Sequence, residues 1–152
     1  MRDAITAASE ALPEIWTRRA NILAMTRQAE RAVIAPAAAG GFDSHWRAAV
    51  AARIARLNGR AELAAYYLTQ AGDAAALASP DAKGRDEREV LVLGFMDRVA
   101  ALPRDIAAED IAALQEAGLP DADIVRLCEL NAFLSYQCRL DAGLDAIAEA
   151  WA

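Results

Sequence analysis

Two cysteines, Cys128 and Cys138, carry the most nucleophilic side chains of the chain. A redox pair would need their sulfurs to meet. They stand ten residues apart on what the pattern predicts to be one continuous helix, which separates their backbones by about 15 Å along the axis, beyond disulfide reach. We therefore expect buried, free thiols with a structural role, and a bond between subunits stays open.

His45 is the only histidine, so the sequence offers no histidine-rich metal site, and we predict neither a metal nor a cofactor. Asp43, Ser44 and His45 contain the residue types of a hydrolase triad, but three adjacent residues cannot converge on one another. Asp43 or Ser44 is better suited to cap a helix start. His45 is then a surface or interface residue at that start.

The last predicted helix places Asn131 on or beside an apolar stripe that includes Cys128 and Cys138. A buried asparagine must be hydrogen-bonded, which indicates either a polar network between helices or subunits, or the wall of a small-molecule pocket. In the second case Arg139 would bind a carboxylate, and the remaining lining residues would come from the same helix and from the middle of the chain. The candidate binding residues are Tyr66, Tyr67, Asn131, Gln137 and Arg139.

Hydrophobic periodicity and capping residues predict an all-α fold. The segment 90–96 could pass for a buried strand, but the spacing of Val92, Phe95, Met96 and Val99 is helical, and no partner strand is evident. Gly118 is expected to end a short helix in the left-handed conformation. The predicted helices span roughly 13–34, 43–57, 60–71, the 80s to 102, 109–117 and 120–150, with a fragment at 74–78.

The length, composition and net charge of the chain restrict its domain organisation and the classes of partner that it can bind. The chain has 152 residues, of which 56% are hydrophobic and 6% aromatic, with alanine supplying much of the difference. The length fits one domain over residues 1–152, and a net charge of −6 argues against a nucleic-acid surface. No apolar run is long enough to span a bilayer, and the first residues lack the apolar stretch of a signal peptide, so we expect a cytoplasmic protein. Arg53, Arg56 and Arg60 fall at helical spacing and are expected to form a solvated or subunit-facing stripe.

The segment from Pro103 to Leu144 resembles the C-terminal part of the peroxidase-related, carboxymuconolactone decarboxylase-type proteins of the alkyl hydroperoxidase D-like superfamily. Asp110 to Leu114, followed by Ala117-Gly118-Leu119, is similar to the family's motif before its final helix. Gln137, Arg139 and Gly143-Leu144 are similar to the end of that helix, and Trp46-Arg47 through Asn58-Gly59 resembles an earlier one. The resemblance implies a single-domain bundle of about six helices that self-associates, as a dimer up to a hexamer.

The resemblance also identifies what has changed. In the peroxidatic members, Asn-Gly is followed by Cys-x-x-Cys and then a His, with a Glu one helix earlier. Those spacings fall here on Arg60 and Leu63 at the cysteine positions, Tyr67 at the His position and Ala48 at the Glu position. Neither arginine nor leucine can act as a redox nucleophile, so a dithiol peroxidase is not expected. The unperturbed pKa of tyrosine, about 10, also makes Tyr67 a poor acid/base group.

Three functions remain open at this stage. The first is a non-redox oligomer that binds a small molecule or serves as a structural module. The second is a peroxidase that uses Cys128 or Cys138 as a single reactive cysteine. The third is a decarboxylase or isomerase of a small lactone or acid, which the resemblance alone suggests.

Overall fold

The computed structural model describes residues 20–150, and all regular elements in that range are helical. The all-α prediction is confirmed, and residues 90–96 are helical as expected. Two 3₁₀ segments, Gly72–Ala78 and Pro103–Asp105, lie among the α-helices. The α-helices are α1 (Ala20–Ile34), α2 (Ser44–Leu57), α3 (Ala61–Leu68), α4 (Glu87–Ala101), α5 (Ala108–Glu116) and α6 (Asp121–Ala150).

Helix α2 lies at the centre of the bundle. It contacts α3, the first 3₁₀ segment, α4 and α6, and all its residues from Trp46 to Ala55 are buried. Five of those residues are alanines whose side chains have no exposed surface, so the neighbouring helices can approach its backbone closely. The Asp43 side chain accepts a hydrogen bond from the Trp46 amide at 2.8 Å. The predicted helix start and its cap are both confirmed.

The long helix α6 runs without interruption along the bundle and packs against α1, α2 and α4. Gly118 precedes it with φ 81°, and the amides of Gly118 and Leu119 donate to the Gln115 and Leu114 carbonyls. This is the left-handed helix end that the sequence predicted. Because α6 is continuous, Cys128 and Cys138 stay about 15 Å apart along its axis, which confirms that they cannot pair within one chain.

One helix boundary differs from the prediction, and another cannot be compared with it. Helix α3 ends at Leu68 rather than near Ala71, because the chain tightens there: the Gln70 and Ala71 amides donate to the Tyr67 and Leu68 carbonyls, three residues back. The first helix was predicted to begin near Pro13, and that start lies outside the described residues. Within residues 20–150, no helix is both long and apolar enough to cross a membrane.

The expectation of a solvated stripe at Arg53, Arg56 and Arg60 is wrong for Arg53, which is 3% exposed. Its guanidinium binds both carboxylate oxygens of Asp97 at 2.6 and 2.7 Å. It also donates to carbonyls of the connection between the first 3₁₀ segment and α4. The accepting residues are Leu77, Ser79, Pro80 and Ala82. Arg53 is therefore a buried fastener of that connection, with the charge of Asp97 and the carbonyl dipoles replacing water.

Candidate functional site

The turn between α2 and α3 positions Arg60, the residue that the resemblance places at the first cysteine of the peroxidatic motif. Gly59 adopts φ 70°, and the Arg60 amide donates to the Ala55 carbonyl at 2.9 Å. This left-handed turn ends α2 and begins α3 at once, and glycine is the residue that adopts it without steric cost. Arg60 then precedes the first turn of α3, where it reaches across to α6.

On α6, two carboxylates receive the Arg60 guanidinium. Nε donates to Asp141 Oδ2 at 2.7 Å, Nη2 lies 2.5 Å from the same oxygen, and Nη2 also binds Asp145. The hydrogen bond that Arg60 donates to Asp145, followed by that to Asp141, raises the pKa of Arg60 above its ordinary value, against the opposing effect of burial. Arg60 is thus a cation bound to two anions.

Leu63 and Tyr67, which the resemblance places at the second cysteine and the histidine of the motif, lie on α3 with buried side chains. The Tyr67 hydroxyl donates to Gln137 Oε1 on α6 at 2.5 Å. Desolvation first, and the charge of Glu30 second, raise the pKa of Tyr67 far above its ordinary value, although the Gln137 hydrogen bond opposes them. Tyr67 therefore keeps its proton at any physiological pH. The Ala48 methyl, which the resemblance places at the position of the motif's Glu, is fully buried and can carry no proton.

Tyr66 faces away from that interface, toward α1. Its hydroxyl donates to Glu30 Oε1 at 2.7 Å, and its ring contacts the Tyr67 ring edge-on, with centroids 5.0 Å apart. A groove of about 290 Å³ runs here between α1 and α3. Its described lining residues are Arg27, Glu30, Arg31, Ile34, Ala35, Tyr66 and Gln70. Two arginines one turn apart beside an aromatic ring are groups that bind a carboxylate or a similar anion.

The five predicted binding residues are divided among three places. Tyr67 and Gln137 are in direct contact, with Tyr66 beside them in the groove. Asn131 is buried against α4, where its Nδ2 donates to the Met96 carbonyl at 2.8 Å and its Oδ1 has no hydrogen-bond partner. Arg139 is exposed, and two residues of helix turn it about 200° from Gln137. The ligand-binding role of these residues stays a prediction.

The cysteines differ in exposure, and for Cys128 the expectation of burial is wrong: its residue is exposed, whereas Cys138 is buried as expected. Burial of the sulfur still raises the pKa of Cys128, with help from Glu129. Burial and the charge of Asp141 likewise raise the pKa of Cys138, against smaller opposing effects of nearby arginines. At neutral pH both thiols are protonated, which is the unreactive form.

Sequence reasoning missed Asp141 and Asp145, the partners of Arg60. A signal for them was present: Gln137, Asp141 and Asp145 recur every four residues and so share one face of α6. That face meets α3 at Arg60 and Tyr67. Helices α3 and α6 are therefore joined by the ionic contact of Arg60 and by the neutral hydrogen bond of Tyr67. The buried Leu63 lies between these two residues in the sequence.

A second polar cluster lies at the N-terminal ends of α2 and α4. Glu89 is buried and accepts hydrogen bonds from Trp46 Nε1 at 3.0 Å and from Arg85 Nη2 at 2.8 Å. The Arg85 contact, with smaller contributions from the Arg85 amide and Trp46, lowers the pKa of Glu89. His45 is exposed, as expected, and its Nδ1 lies 3.0 Å from Asp73 Oδ1. In the part of the chain that the structure describes, no three His, Cys, Asp or Glu residues are grouped to hold a metal.

No protein-family model and no curated protein sequence matches the chain. A solved structure with a similar fold is an uncharacterized peroxidase-related protein from Silicibacter sp. TM1040. The TM-score is 0.68 over 81% of this chain and 68% of that one, at 16% sequence identity. At that identity the likeness shows a shared helical fold, and it carries no assignment of activity.

Proposed function

We propose that this chain is a non-redox member of the alkyl hydroperoxidase D-like superfamily, in which the former dithiol position fastens two helices together. The observation that carries the proposal is the contact of Arg60 with Asp141 and Asp145, continued by the hydrogen bond from Tyr67 to Gln137. Each polar group that replaces a redox residue has its own partner on α6. The site is consequently a closed structural contact, and any ligand binds elsewhere on the molecule.

The proposal is supported by the residue types at these positions, which lack the groups that a thiol peroxidase needs. Their reaction needs a thiolate that attacks the peroxide oxygen, a second group that resolves the oxidised sulfur, and a proton carrier. Arg60 and Leu63 supply no sulfur, Ala48 carries no proton, and the raised pKa of Tyr67 removes it from acid/base work. We expect no hydroperoxide reduction through this site.

A peroxidase that uses a single cysteine is the alternative function. Cys138 is a candidate for that cysteine, because the charge of nearby Arg60 acts to lower the pKa of the thiol. Burial and the charge of Asp141 outweigh that effect, so the thiol stays protonated. Cys128 is more accessible, but its pKa is raised as well. The distinguishing experiment is hydroperoxide consumption with a dithiol reductant, for the native protein and for the Cys128→Ser and Cys138→Ser variants. We expect equal rates in all three, at the level of buffer, and a rate that falls with either substitution would overturn the proposal.

For the ligand, we propose the groove between α1 and α3 and a small carboxylic acid as occupant. Arg27 and Arg31 lie one turn apart on α1, and both are exposed. Two guanidinium groups can bind the two oxygens of a carboxylate, while the Tyr66 ring and the Ile34 side chain contact its apolar part. Benzoate combines these two features and is the probe that we would use.

Calorimetric titration with benzoate tests the groove. We expect saturable binding that weakens at least tenfold in Arg27→Gln and Arg31→Gln, because each substitution removes a charge-assisted hydrogen bond worth about 1.5–3 kcal/mol. The matched control is Arg104→Gln, an exposed arginine on the second 3₁₀ segment, outside the groove, and it should leave affinity unchanged. Absence of saturable binding, or equal affinity in all four proteins, would contradict the groove as the ligand site.

The remaining properties follow as proposals from the same reasoning. The net charge of −6 disfavours nucleic acid as a partner, and the resemblance to a self-associating superfamily favours a homo-oligomer. A cytoplasmic location accords with two cysteines that have no disulfide partner within the chain. A decarboxylase or isomerase would need a proton-transfer group, and Glu30 in the groove is the carboxylate nearest to Tyr66.

A further inference from the structure

One side of α6, next to α1, carries a regular row of exposed residues. Val125 is 56% exposed and Tyr136 is 42% exposed, with Ala132 and Gly143 also exposed on the same side. Successive members of the full row lie three or four residues apart, which aligns them along one face of a continuous helix. We call this row the outer face of α6, and it consists of Val125, Glu129, Ala132, Tyr136, Arg139 and Gly143.

Two opposite charges on this face have no partner of their own. Glu129 and Arg139 are exposed, and neither takes part in an ion pair within residues 20–150. They lie ten residues apart, so the helix holds them about 15 Å apart along its axis, too far for contact with each other. Among the described residues of a single copy, neither charge is paired.

We propose that the outer face of α6 binds the same face of a second copy in an antiparallel pair of helices. A two-fold axis at the level of residue 134 brings Glu129 opposite the partner subunit's Arg139, and the reverse contact forms by symmetry. The same operation sets the large Tyr136 against the small partner's Ala132. It also sets Val125 against the partner's Gly143, so that charge and side-chain size are complementary along the whole row.

The alternative of a parallel pair is disfavoured by the same residues. A parallel two-fold arrangement sets each position against itself, so that two Glu129 carboxylates and two Tyr136 rings would meet. A different acidic or basic protein would satisfy one charge and oppose the other. A second copy in the antiparallel sense satisfies both.

The neighbouring helix α1 adds to this surface. Thr26 Oγ1 lies 2.9 Å from the Tyr136 hydroxyl, a hydrogen bond that fixes the ring at the middle of the outer face. One turn earlier on α1, Ile22 is 37% exposed, and Met25 is 66% exposed. These apolar side chains widen the surface that a second copy would cover, and their exposure in a single copy is otherwise unfavourable.

Sedimentation equilibrium of charge-reversal variants tests this inference, which rests on the self-association proposed above. We expect the native chain to dimerise, and Glu129→Arg or Arg139→Glu each to raise the dissociation constant about tenfold or more, because each turns two symmetric attractions into repulsions. The double variant Glu129→Arg/Arg139→Glu restores both pairs with exchanged signs and should regain most of the affinity. Glu116→Arg, an exposed reversal on α5, is the matched control and should leave the dissociation constant unchanged.

Circular dichroism of each variant verifies that the helices are intact before association is compared. The assignment of the interface to α6 would be overturned if neither single charge reversal changes the dissociation constant, or if the double variant associates as weakly as the single variants. Either result would leave the proposed self-association standing. A monomeric native chain would overturn both. Neither outcome bears on the proposed loss of redox chemistry, which hydroperoxide consumption tests separately.

Discussion

Replacing Arg60 by Met should destabilise the protein by about 2.5 kcal/mol, and the value follows from the exposure of the three charges. The Arg60 side chain is 21% exposed, that of Asp141 12% and that of Asp145 54%. Breaking a fully buried pair costs about 3–5 kcal/mol, and an exposed one costs about 0–1 kcal/mol. The contact with Asp141 lies between those limits, at about 2 kcal/mol, and that with Asp145 adds about 0.5 kcal/mol.

Urea denaturation followed by circular dichroism measures this effect. With a slope of about 2 kcal/mol per molar urea, the midpoint of Arg60→Met should fall by about 1 M. The double variant Arg60→Met/Asp141→Leu should recover most of the loss, because an apolar pair of similar volume removes the uncompensated buried carboxylate. Arg104→Met, which changes an exposed arginine outside this contact, is the control and should shift the midpoint little.

The reasoning would be refuted by a midpoint for Arg60→Met within about 0.2 M of the native value, given the same slope. It would also be refuted by a double variant no more stable than Arg60→Met. Either result would mean that the contact between Arg60 and α6 does not stabilise the fold.

Three further predictions concern individual groups. Tyr67→Phe should cost about 1–3 kcal/mol of unfolding free energy in the same urea assay, because Gln137 Oε1 loses its buried donor; a cost below about 0.5 kcal/mol would contradict the contact. Glu89→Gln should flatten the acid side of the stability profile: its pKa is lowered on folding, so the stabilisation is complete above its ordinary value of 4.5 and is lost as the pH falls below it. An unchanged profile between pH 5 and about 2 would contradict this. Modification of the native protein by a thiol reagent should be slow at neutral pH and faster at alkaline pH, because the pKa of each thiol is raised. Cys128 should react faster than Cys138, since only Cys128 is exposed. Rapid reaction of Cys138 at neutral pH would contradict its burial.

The sequence predicted those parts of the fold that depend on local signals. The cap at Asp43, the left-handed Gly118 and the helical spacing from Val92 to Val99 each act within a few residues, and each is confirmed. The predicted end of α3, near Ala71, is wrong, because the helix ends at Leu68. The alanine-rich sequence after Leu68 is compatible with both an α-helix and 3₁₀ turns, so the local pattern does not distinguish them.

The contacts that define the candidate site could not be predicted in this way. The spacing of Arg53 predicts a solvated charge. It is buried instead, because the connection between the first 3₁₀ segment and α4 folds over it and supplies carbonyl partners. Arg60 and Asp141 are separated by 81 residues. Nothing local pairs those two residues, because the register between α3 and α6 is set by packing of the whole bundle around α2.

The most direct test of the central claim is to look for an oxidised sulfur. The native protein would be treated with a stoichiometric hydroperoxide in the presence of a reagent that traps sulfenic acid, and the peptides containing Cys128 and Cys138 would be analysed by mass spectrometry. We expect both peptides to remain unlabelled at neutral pH, because the raised pKa values of the two thiols favour their protonated form. Rapid and complete labelling of either peptide by one equivalent of hydroperoxide would contradict it and identify a single-cysteine peroxidase.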